Sequence, residues 1–84
     1  MTTRILFFGA LKEKAGGGER LAELPAHIDN TGALIDWLAG DDGDLRRALK
    51  APSVRIAVDQ ALVRRDEKFA APDEIAFMPP FSGG

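Results

Sequence analysis

The four residues at the end of the chain, Phe81-Ser82-Gly83-Gly84, are the ones best suited to chemistry. They place a glycyl carboxylate on a narrow tail with few side chains. Lacking Cβ atoms, Gly83 and Gly84 permit close backbone approach and many φ/ψ values, so such a tail can enter a confined channel. A terminal carboxyl group ionises with a pKa of about 3.3–3.7, so in the cell it attacks phosphorus without the help of a base. Acyl activation turns this poor donor into a good one, which is the logic of a covalent intermediate. Two terminal glycines arise by chance in roughly one chain in 200, so an incidental ending is the weaker reading. Ser82 has a nucleophile's oxygen but no base beside it in sequence, and its small polar side chain suits a channel. Phe81 is the tail's large side chain. It either anchors at a partner's rim or covers the end of this chain's own core. Fully extended, Phe81 to Gly84 reach about 13–14 Å.

Other chemistry-bearing patterns are weak. Gly16-Gly17-Gly18 lacks the Lys-Ser/Thr of a phosphate loop and the spacing of a dinucleotide fingerprint. Asp41-Asp42-Gly43-Asp44 lacks the remaining ligand spacing and distal Glu of a calcium loop, and reads as a helix-capping turn. His27 is the one histidine and has no evident ligand partner. No metal site is expected. Cysteine is absent, which excludes disulfides and thiol chemistry and fits a cytoplasmic location. With 11 basic and 13 acidic residues the chain shows no electrostatic footprint for nucleic acid or anionic membrane. No apolar run approaches the roughly 18 residues needed to span a bilayer.

A chain of 84 residues makes one domain, with about 60–65% of its unfolded surface buried. That leaves no room for a deep catalytic pocket of its own. Residues 1–80 are read as the folded domain and 81–84 as a flexible tail. Ile5-Leu6-Phe7-Phe8 predicts a central strand, apolar on both faces and ended by Gly9. Ala10 to Ala15 predicts a helical turn, Gly16 to Gly18 a loop, and Glu19 to Leu24 a weak strand stopped by Pro25. Asn30 or Thr31 caps a helix carrying Leu34, Ile35, Trp37 and Leu38, all assigned to the core, and Gly40 closes it. A second helix follows with Leu45, Ala48 and Leu49 on one side, ended by Pro52. Val54 to Asp59 alternates as a half-buried strand, turns at Asp59-Gln60, and returns as Ala61 to Arg64. Arg64, Arg65 and the charged residues after them read as a solvated turn, with a rim contact to an acidic partner as the alternative. Ile75 to Met78 is the last strand, ended by Pro79-Pro80, which cannot donate to a ladder. This order predicts an α+β roll, a mixed sheet of about five strands with one helical layer.

One helical layer leaves the second face of the sheet uncovered. Arg4 is a poor core residue, so Leu6 and Phe8, which share its face, point outward. Leu62 shares a face with Arg64. Ile75 and Phe77 face the helices, leaving Ala76 and Met78 outward. If the first and last strands are neighbours, Phe8, Leu62 and Met78 form an apolar patch near the root of the tail, a candidate partner surface. The assignment depends on strand phase, because a slip of one residue inverts it.

These residues together resemble the family of small, ubiquitin-like sulfur-carrier subunits of molybdopterin synthase. The resemblance is carried by Leu6-Phe7-Phe8, by Val58-Asp59-Gln60 with Leu62-Val63, and above all by the run from Asp73-Glu74 through Ile75-Ala76-Phe77-Met78 and Pro79-Pro80 to Phe81-Ser82-Gly83-Gly84. Asp59 stands where the family often has Asn, and Met78 where an aromatic residue is common. The resemblance implies a β-grasp fold. It implies that an ATP-dependent, ubiquitin-activator-like adenylyltransferase forms an acyl-adenylate at Gly84, and that sulfur displaces AMP to leave a thiocarboxylate. It further implies that the tail enters the large synthase subunit, in a heterotetramer, and donates sulfur to a cyclic pyranopterin phosphate. Phe8, Leu62, Met78, Pro79 and Pro80 would form the partner interface. No cofactor would be bound by the chain itself. A carrier for thiamine thiazole synthesis, a lysine-conjugated modifier and a non-covalent binding module are the rival readings.

Overall fold

A computed structural model of the chain describes residues 2–79. The elements run β1 (Thr2–Phe7), α1 (Ala10–Ala15), β2 (Glu19–Glu23), α2 (Thr31–Ala39), α3 (Gly43–Leu49), β3 (Arg55–Val58), β4 (Ala61–Val63) and β5 (Glu74–Met78). The strands form one mixed sheet in the order β2-β1-β5-β3-β4. β1 and β5 are parallel neighbours, and the other pairings are antiparallel. This is the expected α+β roll. β5 lies in the middle of the sheet, which is why Ile75, Ala76 and Phe77 are buried on both of its faces.

The core lies between the sheet and the helices. Ile5, Phe7, Ile56, Ile75 and Phe77 come from the strands, and Leu11, Leu34, Ile35, Leu38, Leu45 and Leu49 from the helices. Phe7 and Phe77, Cα partners across β1 and β5, stack with ring centroids 5.6 Å apart. Arg20, on the inner side of β2, sits over the Phe7 ring at 5.7 Å. Its guanidinium donates to the carbonyls of Ala15 and Leu38, so one cation serves the C-terminal ends of α1 and α2. Asn30 caps α2 by accepting from Ala33 N, and Asp42 caps α3 by accepting from Leu45 N. Across the helix pair, Lys50 and Arg46 reach Asp36 at 2.9 and 3.1 Å. The hydrogen bond from Lys50, seconded by Arg46, holds the Asp36 carboxyl below its ordinary pKa. Such exposed pairs contribute little to stability.

Trp37 corrects the sequence reading: it is exposed, not core. At about 100° per residue, Leu34, Ile35 and Leu38 define the buried stripe of α2, and position 37 falls about 60° beyond its edge at Leu34, more than a quarter turn from its centre.

The β3–β4 hairpin turns through Asp59 and Gln60, both at positive φ (49° and 72°). This is the geometry of a tight two-residue hairpin loop, in which Asp or Asn is tolerated at left-handed φ. Asp59 Oδ1 accepts from Asp73 N (2.9 Å) and Glu74 N (3.0 Å), while Asp59 N donates to Glu74 O (2.8 Å). The side chain thereby ties the hairpin tip to the start of β5. Either Asp or Asn supplies that oxygen. Asp59→Ala is expected to cost about 1–3 kcal/mol and Asp59→Asn less than about 1 kcal/mol, measured by urea unfolding.

Candidate functional site

Strand register sets the composition of the uncovered face. One row across the sheet reads Glu19, Leu6, Ala76, Ala57, Leu62, from the β2–β1, β1–β5, β5–β3 and β3–β4 pairings. The next row toward the end of β5 contains Met78 and Arg55, which are Cα partners. Phe8 extends β1 into that row, with its N–H donating to Phe77 O at 3.1 Å. Leu62 is 62% exposed and Phe8 46%, while Leu6 and Met78 are half-buried. Ala57 and Ala76, paired with each other, form the floor, so the larger side chains stand around a shallow apolar depression.

The chain leaves this depression at a braced point. Gly9 has φ +58°, and a Cβ built there would lie 2.7 Å from Pro79 Cγ. The absence of a side chain at Gly9 lets Pro79 seat against the turn that follows β1. β5 therefore hands the chain on beside Phe8 and Met78. Pro80, Phe81, Ser82, Gly83 and Gly84 lie outside the described residues, so the tail assignments rest on the sequence.

Phe8, Leu62 and Met78 all stand on the uncovered face, as their phase requires. Four neighbours on that face were not placed in the expected patch. Leu6 and Ala76 are outward by sequence phase but lie outside the expected trio. Ala57 belongs to a strand whose alternation gives it no place in that trio. Leu21, 66% exposed and the Cα partner of Arg4, was missed. Alternation in Glu19-Arg20-Leu21-Ala22-Glu23 would have put Leu21 on the face of the two glutamates, but an aliphatic residue flanked by charges carries no phase of its own.

The remaining motifs have structural roles. Gly16, at φ +82°, closes α1. Asp42 is a helix cap, and His27 is exposed. Among the described residues no group of His, Cys, Asp or Glu could hold a metal ion, and no helix is long and apolar enough to cross a membrane. A cleft lined by Thr3, Leu24, Ile28, Asp29 and Phe69 opens at the other end of the sheet, and among the described residues Asp29 is the one charged side chain lining it. The uncovered face and the tail rooted beside it are thus the features that can act together.

Comparison with known proteins bears on this arrangement. The ThiS family profile matches residues 5–84. The chain belongs to the ThiS family. It is 32% identical over 81 residues to the molybdopterin synthase sulfur carrier subunit of Escherichia coli K12, spanning 96% of this chain and 98% of that one. Its fold matches SAMP1 from Haloferax volcanii with a TM-score of 0.75 and 25% identity, both chains being covered completely. It also matches a protein described as molybdopterin converting factor, subunit 1, from Pyrococcus furiosus (TM-score 0.76, 22% identity, 96% and 99% covered). The β-grasp architecture implied by the ThiS-family sequence is therefore the one the chain adopts.

Proposed function

We propose that this ThiS-family chain is the sulfur-carrier subunit of a molybdopterin synthase. The observation that carries the reading is the 32% identity with the Escherichia coli sulfur carrier subunit over 96% of this chain, beside a family match that runs to residue 84. The geometry supports it: an apolar face for a partner lies beside the point where the tail departs. In this reading the Gly84 carboxylate attacks the α-phosphorus of ATP on a separate adenylyltransferase, and pyrophosphate leaves. A sulfur nucleophile then attacks the acyl carbon, AMP leaves, and a thiocarboxylate remains. The large subunit takes up the loaded tail and supplies the catalytic groups. Sulfur passes from Gly84 to a cyclic pyranopterin monophosphate, building the dithiolene. A heterotetramer in the cytoplasm is the assembly proposed. The ATP stays with the activating enzyme, and this chain holds no resident cofactor.

Intact-mass spectrometry tests the first half of the scheme. Incubation with an activating enzyme, ATP and a sulfur donor is expected to add about 16 Da, the difference between sulfur and oxygen, at the C-terminus. Capture of a large synthase subunit, and not of a thiazole synthase, tests the second half. A second reading, a modifier joined to lysine, is favoured by the full-length fold match to SAMP1, since SAMP denotes a small archaeal modifier protein. High-molecular-weight conjugates in cells would support it.

The uncovered face gives its own prediction. Leu62→Glu places a charge in the apolar depression at a residue already 62% exposed. Stability is expected to change by no more than about 1 kcal/mol. Affinity for the large subunit is expected to fall at least about 30-fold by titration calorimetry, the size of a hot-spot loss.

A further inference from the structure

The uncovered face is electrically lopsided. At its far end Arg4 is flanked by Glu19 (3.8 Å) and Glu74 (4.0 Å), so that cation is compensated. At the tail end the situation is reversed. Arg55 is the Cα partner of Met78, and it precedes Ile56, which pairs with Val63. Arg64 follows Val63 on the antiparallel neighbour, so the two arginines stand opposite one another on the outer face, beside Leu62 and Met78. Both are exposed. Among the described residues neither side chain has an ion pair or a hydrogen bond. Glu67, three residues on, accepts from the Arg64 backbone N–H at 2.9 Å. Like charges directly opposite in a sheet are destabilising, so this arrangement has a small cost in the free chain. The cost disappears when an anion covers the pair. The chain as a whole carries a net charge of −2, so the cations are a local feature and not a reflection of overall basicity.

We infer that Arg55 and Arg64 form an electrostatic docking point for acidic side chains on the large subunit, at the rim of the surface that takes up Phe8, Leu62 and Met78. The inference rests on the sulfur-carrier reading and adds to it the chemistry of the partner. An acidic rim opposite this pair turns the tail end of the carrier toward the partner and leaves the Glu19–Glu74 end away from it. Rim charges of this kind act mainly on the association rate and on its salt dependence, whereas the apolar centre governs dissociation.

The test is stopped-flow association of the full chain with the large subunit across a salt series. At about 20 mM ionic strength, R55S/R64S is expected to associate about 10-fold more slowly than wild type, and R55E/R64E more slowly still. At about 0.5 M salt all three rates should converge, while dissociation rates change less than about 3-fold. R47S, which removes a cation from the helical layer, should behave as wild type. Equal rates for wild type and R55S/R64S at every salt concentration would overturn the inference and leave the sulfur-carrier reading standing. Selective slowing by inorganic phosphate at matched ionic strength would assign the pair to a small phosphate ligand and also overturn it. No association of the wild-type chain at any salt would remove both.

Discussion

A chain lacking Gly84, or carrying one alanine beyond it, is expected to lose sulfur transfer altogether while keeping its fold. The reason is positional. In the proposed function the tail acts by bringing one acyl carbon to a fixed point inside other proteins. Losing or adding a residue shifts that carbon by about 3.3–3.6 Å along an extended chain. A displacement of about 1 Å in a reacting atom already costs about 100-fold, so a shift of this size is expected to reduce turnover by more than about 1,000-fold. The body is indifferent to the change, because Pro79 is already braced against Gly9 before the tail begins. Melting temperatures of the variants should therefore lie within about 2 °C of wild type. The measurement is intact mass after incubation with activating enzyme, ATP and sulfur donor. Wild type is expected to gain sulfur and the variants are not. Product formation by the extended chain, without trimming, would mean that the end of the chain is not the working group.

Phe77→Ala is the largest stability loss expected among the described residues. Phe77 is fully buried on the central strand and stacks on Phe7, which in turn lies beneath Arg20. Truncation removes most of an aromatic side chain from a close-packed core and leaves a cavity, a loss of about 3–5 kcal/mol. A domain of this length has roughly 4–13 kcal/mol in total, so the variant retains a fraction of it. The urea midpoint should fall accordingly. Phe77→Leu, which keeps much of the volume, should lose about half as much or less. Function is expected to fall along with stability, because Met78 ends the same strand and Pro79 follows it. A shift in β5 moves both the uncovered face and the residue from which the tail departs.

The elements were legible because each announces itself locally. Gly9, Pro25, Gly40, Pro52 and Pro79 punctuate the chain where hydrogen-bond ladders or helical φ/ψ must stop. Asn30 and Asp42 are capping residues for the helices that follow them. The inward and outward sets of β1 followed from a single residue: Arg4 had to be outside, and period-two alternation carried that choice through Leu6 and Phe8, while those of β5 followed from the bulk of Ile75 and Phe77. Trp37 was misread because four apolar residues at near-helical spacing span more of the circumference than one stripe can bury. Periodicity alone does not say which of them is left over.

The amino-acid order alone determined the kind of fold, the phase of every strand but β2, and a tail whose end can carry an acyl group, since all three depend on neighbours a few residues apart. Only the tertiary structure decided which strands adjoin. The parallel pairing of β1 with β5 puts Phe8 beside Met78, and the β5–β3–β4 ladder brings Arg55 opposite Arg64 and lays Ala57 and Ala76 as a floor between the larger side chains. These contacts join residues up to 70 positions apart in the chain, from Phe8 to Met78. Their proximity comes from the shared core that folds the sheet over its helices, and no local pattern encodes it.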